Sequence, residues 1–187
     1  TPYTVAVDIN GNEQTGTGIL ALSTFGPVTA GAGYFNNSNL NKSGNINYIM
    51  GITVSDLVAG AGTNNYGVDG GSDLYVATVQ GDLDFVKLEA WYAGLQDSLN
   101  SYTFAATSNL DLAENAKLGL EARYVNLELD DRFSAPGVKP LETDNSMFRF
   151  AVDGKFSIVN ARLAYTKTDK DGGLTALDQD AKNTSLG

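Results

Sequence analysis

The sequence predicts an all-β fold, an antiparallel up-and-down transmembrane β-barrel, on three observations. Apolar and polar residues alternate over many short segments, long and short connections take turns along the chain, and aromatic residues gather in two sets at segment ends. Period-two alternation marks strands with one apolar and one polar face. No apolar run approaches the ~20 residues of a membrane-spanning helix. A barrel escapes that test, because its lipid-facing residues occupy alternate positions.

Four stretches show the alternation plainly. Ile46, Tyr48, Met50, Ile52 and Val54 share one phase, and Asn45, Asn47, Ile49, Gly51 and Thr53 the other. Tyr102, Phe104 and Ala106 oppose Ser101, Thr103, Ala105 and Thr107. Leu118, Leu120, Ala122 and Tyr124 oppose Lys117, Gly119, Glu121 and Arg123, while Phe148, Phe150 and Val152 oppose Met147, Arg149 and Ala151.

Extended along the chain, this pattern predicts eleven strands, at 3–9, 16–25, 28–35, 45–54, 57–61, 73–80, 83–93, 101–111, 116–129, 146–152 and 155–167. Tight turns are expected at Gly26-Pro27, Ser55-Asp56, Gly81-Asp82, Ala113-Glu114-Asn115 and Asp153-Gly154. Longer polar links fall between them, at 10–15, 36–44, 62–72, 94–100, 130–145 and from 168 onward. A meander places every second connection at the same end, so one end carries turns and the other loops, as in outer-membrane barrels. Phe25, Phe85 and Phe156 lie beside turns; Tyr34, Tyr92, Tyr102 and Tyr165 lie beside loops. Two such belts suit the two membrane interfaces. Strands 83–93 and 155–167 change phase midway, and one-residue bulges near Phe85-Val86 and Ile158-Val159 are predicted to restore their apolar face. Residues 1–187 read as a single segment of barrel, with no domain boundary.

Composition narrows the function. The 187 residues carry a formal net charge of -10 and contain neither Cys nor His. Ser-His and Cys-His catalysis, HExxH metalloprotease chemistry and thiolate metal sites are therefore absent. The acidic balance argues against nucleic acid, whose phosphates need clustered Lys and Arg. Asp82 and Asp84 invite a glycosidase reading, but strand residues two apart share a face without making a cleft. The expectation is a protein that is not an enzyme.

If the apolar face meets lipid, the other lines a water-filled lumen for ions and small hydrophilic solutes. The candidate pore-lining charges are Asp8, Lys87, Glu89, Glu121, Arg123, Arg149 and, after the expected bulge, Arg162. For any one of them, cross-strand salt bridging is the competing role. The acidic stretch from Asp169 and Asp171 to Asp178 and Asp180 is the candidate Ca²⁺ region. It is no EF-hand, because Gly173 stands where a third ligand belongs and Leu174 where the turn glycine belongs. The sequons at Asn36, Asn41 and Asn183 read as loop markers.

From Ser72 to Gly187 the chain resembles the major outer-membrane porins of the Campylobacter group. The similar features are Asp73-Leu74-Tyr75-Val76-Ala77 leading to Gly81, Leu120-Glu121-Ala122-Arg123-Tyr124 running into Leu129-Asp130-Asp131, and Asn160-Ala161-Arg162-Leu163-Ala164-Tyr165 opening onto a charged loop that ends Ser185-Leu186-Gly187. The resemblance implies a homotrimeric porin in the bacterial outer membrane, of about eighteen strands, with an inward loop, cation preference and a Ca²⁺ ion in the channel. It implies no ligand residues at identified positions. Eleven strands is odd where such barrels have an even number, so the chain reads as an interior stretch of a longer porin. The alternative is a secreted Gly/Asn-rich β-sheet adhesin or surface-layer protein.

Overall fold

The computed structural model describes residues 1–3, 16–38, 40, 70–131, 142–170, 173–177 and 181–184. Among the described residues, eight strands form one antiparallel sheet in which each strand pairs with its sequence neighbours. They are β1 (Gly16–Phe25), β2 (Val28–Ser38), β3 (Leu74–Leu83), β4 (Val86–Leu95), β5 (Leu99–Ala113), β6 (Ala116–Leu129), β7 (Asp144–Phe156) and β8 (Val159–Thr168). The expected strands at 45–54 and 57–61, most of 3–9 and the turn at Ser55-Asp56 lie outside the described residues. The meander order needs one correction, because β2 pairs directly with β3, from Val28↔Gly81 to Phe35↔Leu74. No strand is interleaved between them.

Turn positions also differ from expectation. Gly81-Asp82 and Asp153-Gly154 are paired strand residues, and the chain reverses at Asp84-Phe85 and Ser157-Ile158. Pairing runs regularly through both places, with Leu83↔Val86 and Phe156↔Val159 as the last pairs. The predicted bulges are therefore absent. A two-residue loop places residues three apart on the same face, so the phase changes at the turn itself. Positive φ at the first loop residue, 58° at Gly26, 32° at Asp84 and 56° at Ser157, matches the hand of a strand hairpin. The Glu114-Asn115 turn follows a register shift between Asp111 and Ala113 that leaves Leu112 as the extra residue. All four two-residue turns lie at one end of the sheet. The opposite end carries the connections 39–73, 96–98 and 130–143 and the exit after Thr168.

Cross-strand register sorts the side chains onto two faces. The outer face carries Ile19, Val28, Val79, Leu83, Leu88, Phe104, Phe150 and Leu163, all exposed. At its loop end are the register pairs Tyr34↔Tyr75 and Tyr92↔Tyr102, with ring centroids 5.3 and 5.2 Å apart. Tyr34 and Tyr75 donate to the two oxygens of Asp73 at 3.0 and 3.3 Å, and Tyr92 donates to Asn100 at 2.8 Å. At the turn end Phe25, Phe85, Phe156 and Ile158 project, Ile158 at 94% exposure. The two aromatic sets thus occupy opposite margins of one apolar band. The 15 residues of β5 extend about 50 Å at ~3.3 Å each, or about 35 Å in height at a ~45° tilt, enough to cross a ~25 Å apolar band.

Close backbone approach fixes the β1–β2 hairpin. A Cβ at Gly18, next to the register shift at Thr17/Gly18, would meet the Tyr34 carbonyl and lie 2.6 Å from the Phe35 Cα. Gly18→Ala is expected to destabilise the folded protein by about 1–3 kcal/mol, as overpacking does. Denaturant titration in detergent checks this, and an unchanged midpoint would refute the close approach.

Candidate functional site: the inner face of the sheet

The inner face divides into a covered half and an open half. Toward the loop end it is apolar: Ala93, Leu95, Leu99, Leu127 and Leu129 pack with Tyr3, Leu40, Leu174 and Leu177. These last four belong to segments lying on the sheet. The Tyr3 hydroxyl donates to the carbonyls of Trp91 at 3.1 Å and Ser101 at 3.3 Å, and the Leu177 N–H donates to the Tyr3 carbonyl at 2.8 Å. Burial raises the Tyr3 phenol above its ordinary value, an effect that neighbouring Thr103, Ser101 and Arg123 partly offset. Tyr3 therefore remains a protonated donor across the neutral range.

Below that cluster lies the charged belt. Arg123 and Arg149 are direct register partners on β6 and β7. Glu121 serves both: Arg149 Nη2 donates to Glu121 Oε1, and Arg123 Nε stands 3.5 Å from the same oxygen. Burial of two guanidinium groups needs a carboxylate and further hydrogen bonds. Those bonds come from the overlying segment, with Arg123 Nη1 donating to Asn183 Oδ1 at 3.3 Å and Arg149 Nη1 to the Thr184 carbonyl at 3.5 Å. On β4, Glu89 accepts from Trp91 Nε1 at 2.9 Å and pairs with Lys87 at 3.4 Å.

Toward the turn end the wall opens into a recess of about 630 Å³ lined by Asn109, Asp111, Lys117, Asp153, Lys155, Asn160 and Arg162. Lys117 pairs with Asp111 at 3.0 Å, and Arg162 with Asp153 at 3.7 Å. Sequence reading missed Asp111, Lys117, Asp153 and Lys155. Lys117 and Asp111 continue phases already assigned to β6 and β5. Asp153 and Lys155 were hidden by placing the turn four residues too early.

Of the seven candidate pore-lining charges, six fall on the inner face and Asp8 lies outside the described residues. Lys87 and Arg162 are exposed there, Glu89 and Glu121 half-buried, and Arg123 and Arg149 buried at 4% and 8% exposure. Arg162 reaches this face through the Ser157-Ile158 turn and not through a bulge. Asp82 points inward from β3 opposite Lys87, whereas Asp84 sits in the turn, so the two carboxylates do not form a pair. Of the Ca²⁺ candidates, only Asp169 is described, and it accepts the Lys170 N–H at 2.6 Å. Among the described residues, no group of three or more acidic side chains could hold a metal ion. Asp171, Asp178 and Asp180 lie outside them.

A sheet with a membrane-height apolar outer face and an inner face that is polar and salt-bridged in its open half is the wall of an outer-membrane-type β-barrel. Solved structures show the same architecture. The chain aligns with OccAB3 of Acinetobacter baumannii at a TM-score of 0.72 and 17% identity, covering 100% of this chain and 44% of that one. For OpdL of Pseudomonas aeruginosa the TM-score is 0.66 and the identity 18%, covering 90% and 42%. For the outer membrane protein OpdK of the same organism the values are 0.65 and 14%, covering 90% and 41%. The chain thus spans less than half the length of these proteins. At this identity the likeness shows the fold, and it does not extend to the Campylobacter-group family expected from the sequence. No protein-family model and no curated relative matches the chain.

Proposed function

We propose that this chain forms wall of a bacterial outer-membrane porin, a water-filled channel for passive diffusion of ions and small hydrophilic solutes. One observation carries the reading: large apolar side chains cover the outer face from the tyrosine margin to the phenylalanine margin, while charges and amides occupy the open, turn-end half of the inner face from β4 to β8. Only lipid makes that arrangement favourable on a face with no second protein layer among the described residues. The adhesin alternative would leave the same face in water.

Cation preference is the finer part of the proposal. The inner wall itself is nearly balanced, with Asp82, Glu89, Asp111, Glu121 and Asp153 against Lys87, Lys117, Arg123, Arg149, Lys155 and Arg162. Support comes from the loop end, where Asp73, Asp97, Glu128, Asp130, Asp131, Glu142 and Asp144 lie and would concentrate cations at the mouth. The homotrimer and the Campylobacter-type kinship rest on the sequence resemblance alone, since an apolar belt facing lipid and one facing a neighbouring barrel look alike. Light scattering of the protein–detergent complex decides the former. In planar bilayers under a KCl gradient, stepwise conductance with a cation-selective reversal potential is expected. Folded, heat-modifiable protein that inserts without any steps would defeat the porin reading, and an anion-selective potential would defeat the cation preference.

A further inference from the structure

We propose that Asn183 is the pin of an internal latch that holds two chain segments against the wall and so narrows the channel, an inference resting on the porin reading above. Asn183 is fully buried. It is bonded to four separate places at once. Its side-chain amide donates to Thr103 Oγ1 on β5 at 2.6 Å, and its side-chain carbonyl accepts from Arg123 on β6 at 3.3 Å. Its backbone N–H donates to the Pro2 carbonyl at 3.1 Å, and its own carbonyl accepts from Thr175 Oγ1 at 2.6 Å. One side chain and its peptide thereby join the wall, the segment Pro2–Tyr3 and the segment Leu174–Leu177.

The held segments cover wall that would otherwise line the passage. Ser101, Thr103, Val125 and Leu127 are at 0% exposure, and Met147 at 1%. Ser101 and Thr103 are small and polar, as an inner wall in water would have them, yet they are sealed. Arg123 and Arg149 act here as anchors for the latch. A buried amide with each hydrogen-bonding group engaged is costly to leave half-satisfied, so removing it should release the segments together. Asn183 is thus a positioning residue, setting the aperture without contacting the solute by necessity.

The chain contains one tryptophan. Trp91 packs against the buried cluster, and its carbonyl accepts the Tyr3 hydroxyl, so its emission reports on the latch independently of any current. The test compares the parent protein with Asn183→Ala, and with Thr103→Val should the first variant fail to fold, folding being scored by heat-modifiable mobility. A red-shifted Trp91 emission, greater quenching by aqueous acrylamide and a higher unit conductance are expected. Unchanged emission and unchanged conductance in a folded variant would overturn the latch. A shifted emission with unchanged conductance would overturn the narrowing. A parent protein without channels defeats the porin reading instead, while the emission still decides whether the latch exists.

Discussion

Phe104→Arg is expected to destabilise the protein by about 2–4 kcal/mol when folding is measured in phospholipid vesicles, the cost of a cation near the middle of an apolar belt. Phe104 projects from the outer face of β5 at 56% exposure, between Ala90 of β4 and Tyr124 of β6. Thr107→Arg, three residues on and facing inward beside Lys87 and Glu121, should change stability by no more than about 0.5 kcal/mol. The contrast tests the solvent of each face. Were the outer face in water, Phe104→Arg would be an ordinary surface substitution, and the two variants would unfold alike.

Glu121→Gln should cost about 3 kcal/mol, because it leaves two register-paired guanidinium groups buried side by side without their shared carboxylate. Arg149→Met alone should also destabilise, by removing a partner from Glu121 and a bond from the Thr184 carbonyl. Combining both substitutions should cost less than the sum, since the repulsion then disappears with one of its members. A double-mutant cycle by urea unfolding measures the difference. Strict additivity would mean that these three side chains do not act as a unit.

The strands were legible wherever a long alternation met an unambiguous turn. β1 and β6 occupy the expected residues, and the other six strands match to within four residues at either end. Turn placement failed at Gly81-Asp82 and Asp153-Gly154 because rules learned from water-soluble hairpins favour polar reversal residues. Here the reversals at Asp84-Phe85 and Ser157-Ile158 carry a large apolar residue each. A turn at a membrane margin loses nothing by exposing Phe85 or Ile158, so the usual penalty on apolar loop residues does not apply. Two of the actual loops therefore looked like strand.

Candidate site residues were legible by phase and not by environment. Parity within a strand placed Lys87, Glu89, Glu121, Arg123 and Arg149 on one face, because a side chain's face in a paired strand follows from counting residues. Arg162 was placed there through a bulge that the turn at Ser157-Ile158 replaces. Which of them meets water could not follow from counting. Asn183 read only as a loop marker and is fully buried.

From the amino-acid order alone came the class of fold, the polarity of each face and the separation of the aromatic residues into two margins, all properties of local alternation repeated along the chain. Tertiary structure decided that β2 pairs with β3 across the 39–73 connection, and that the segments around Tyr3 and Leu177 cover the inner wall. Contacts of that span depend on which distant surfaces become mutually complementary once the sheet exists, and no periodicity within a short window encodes them.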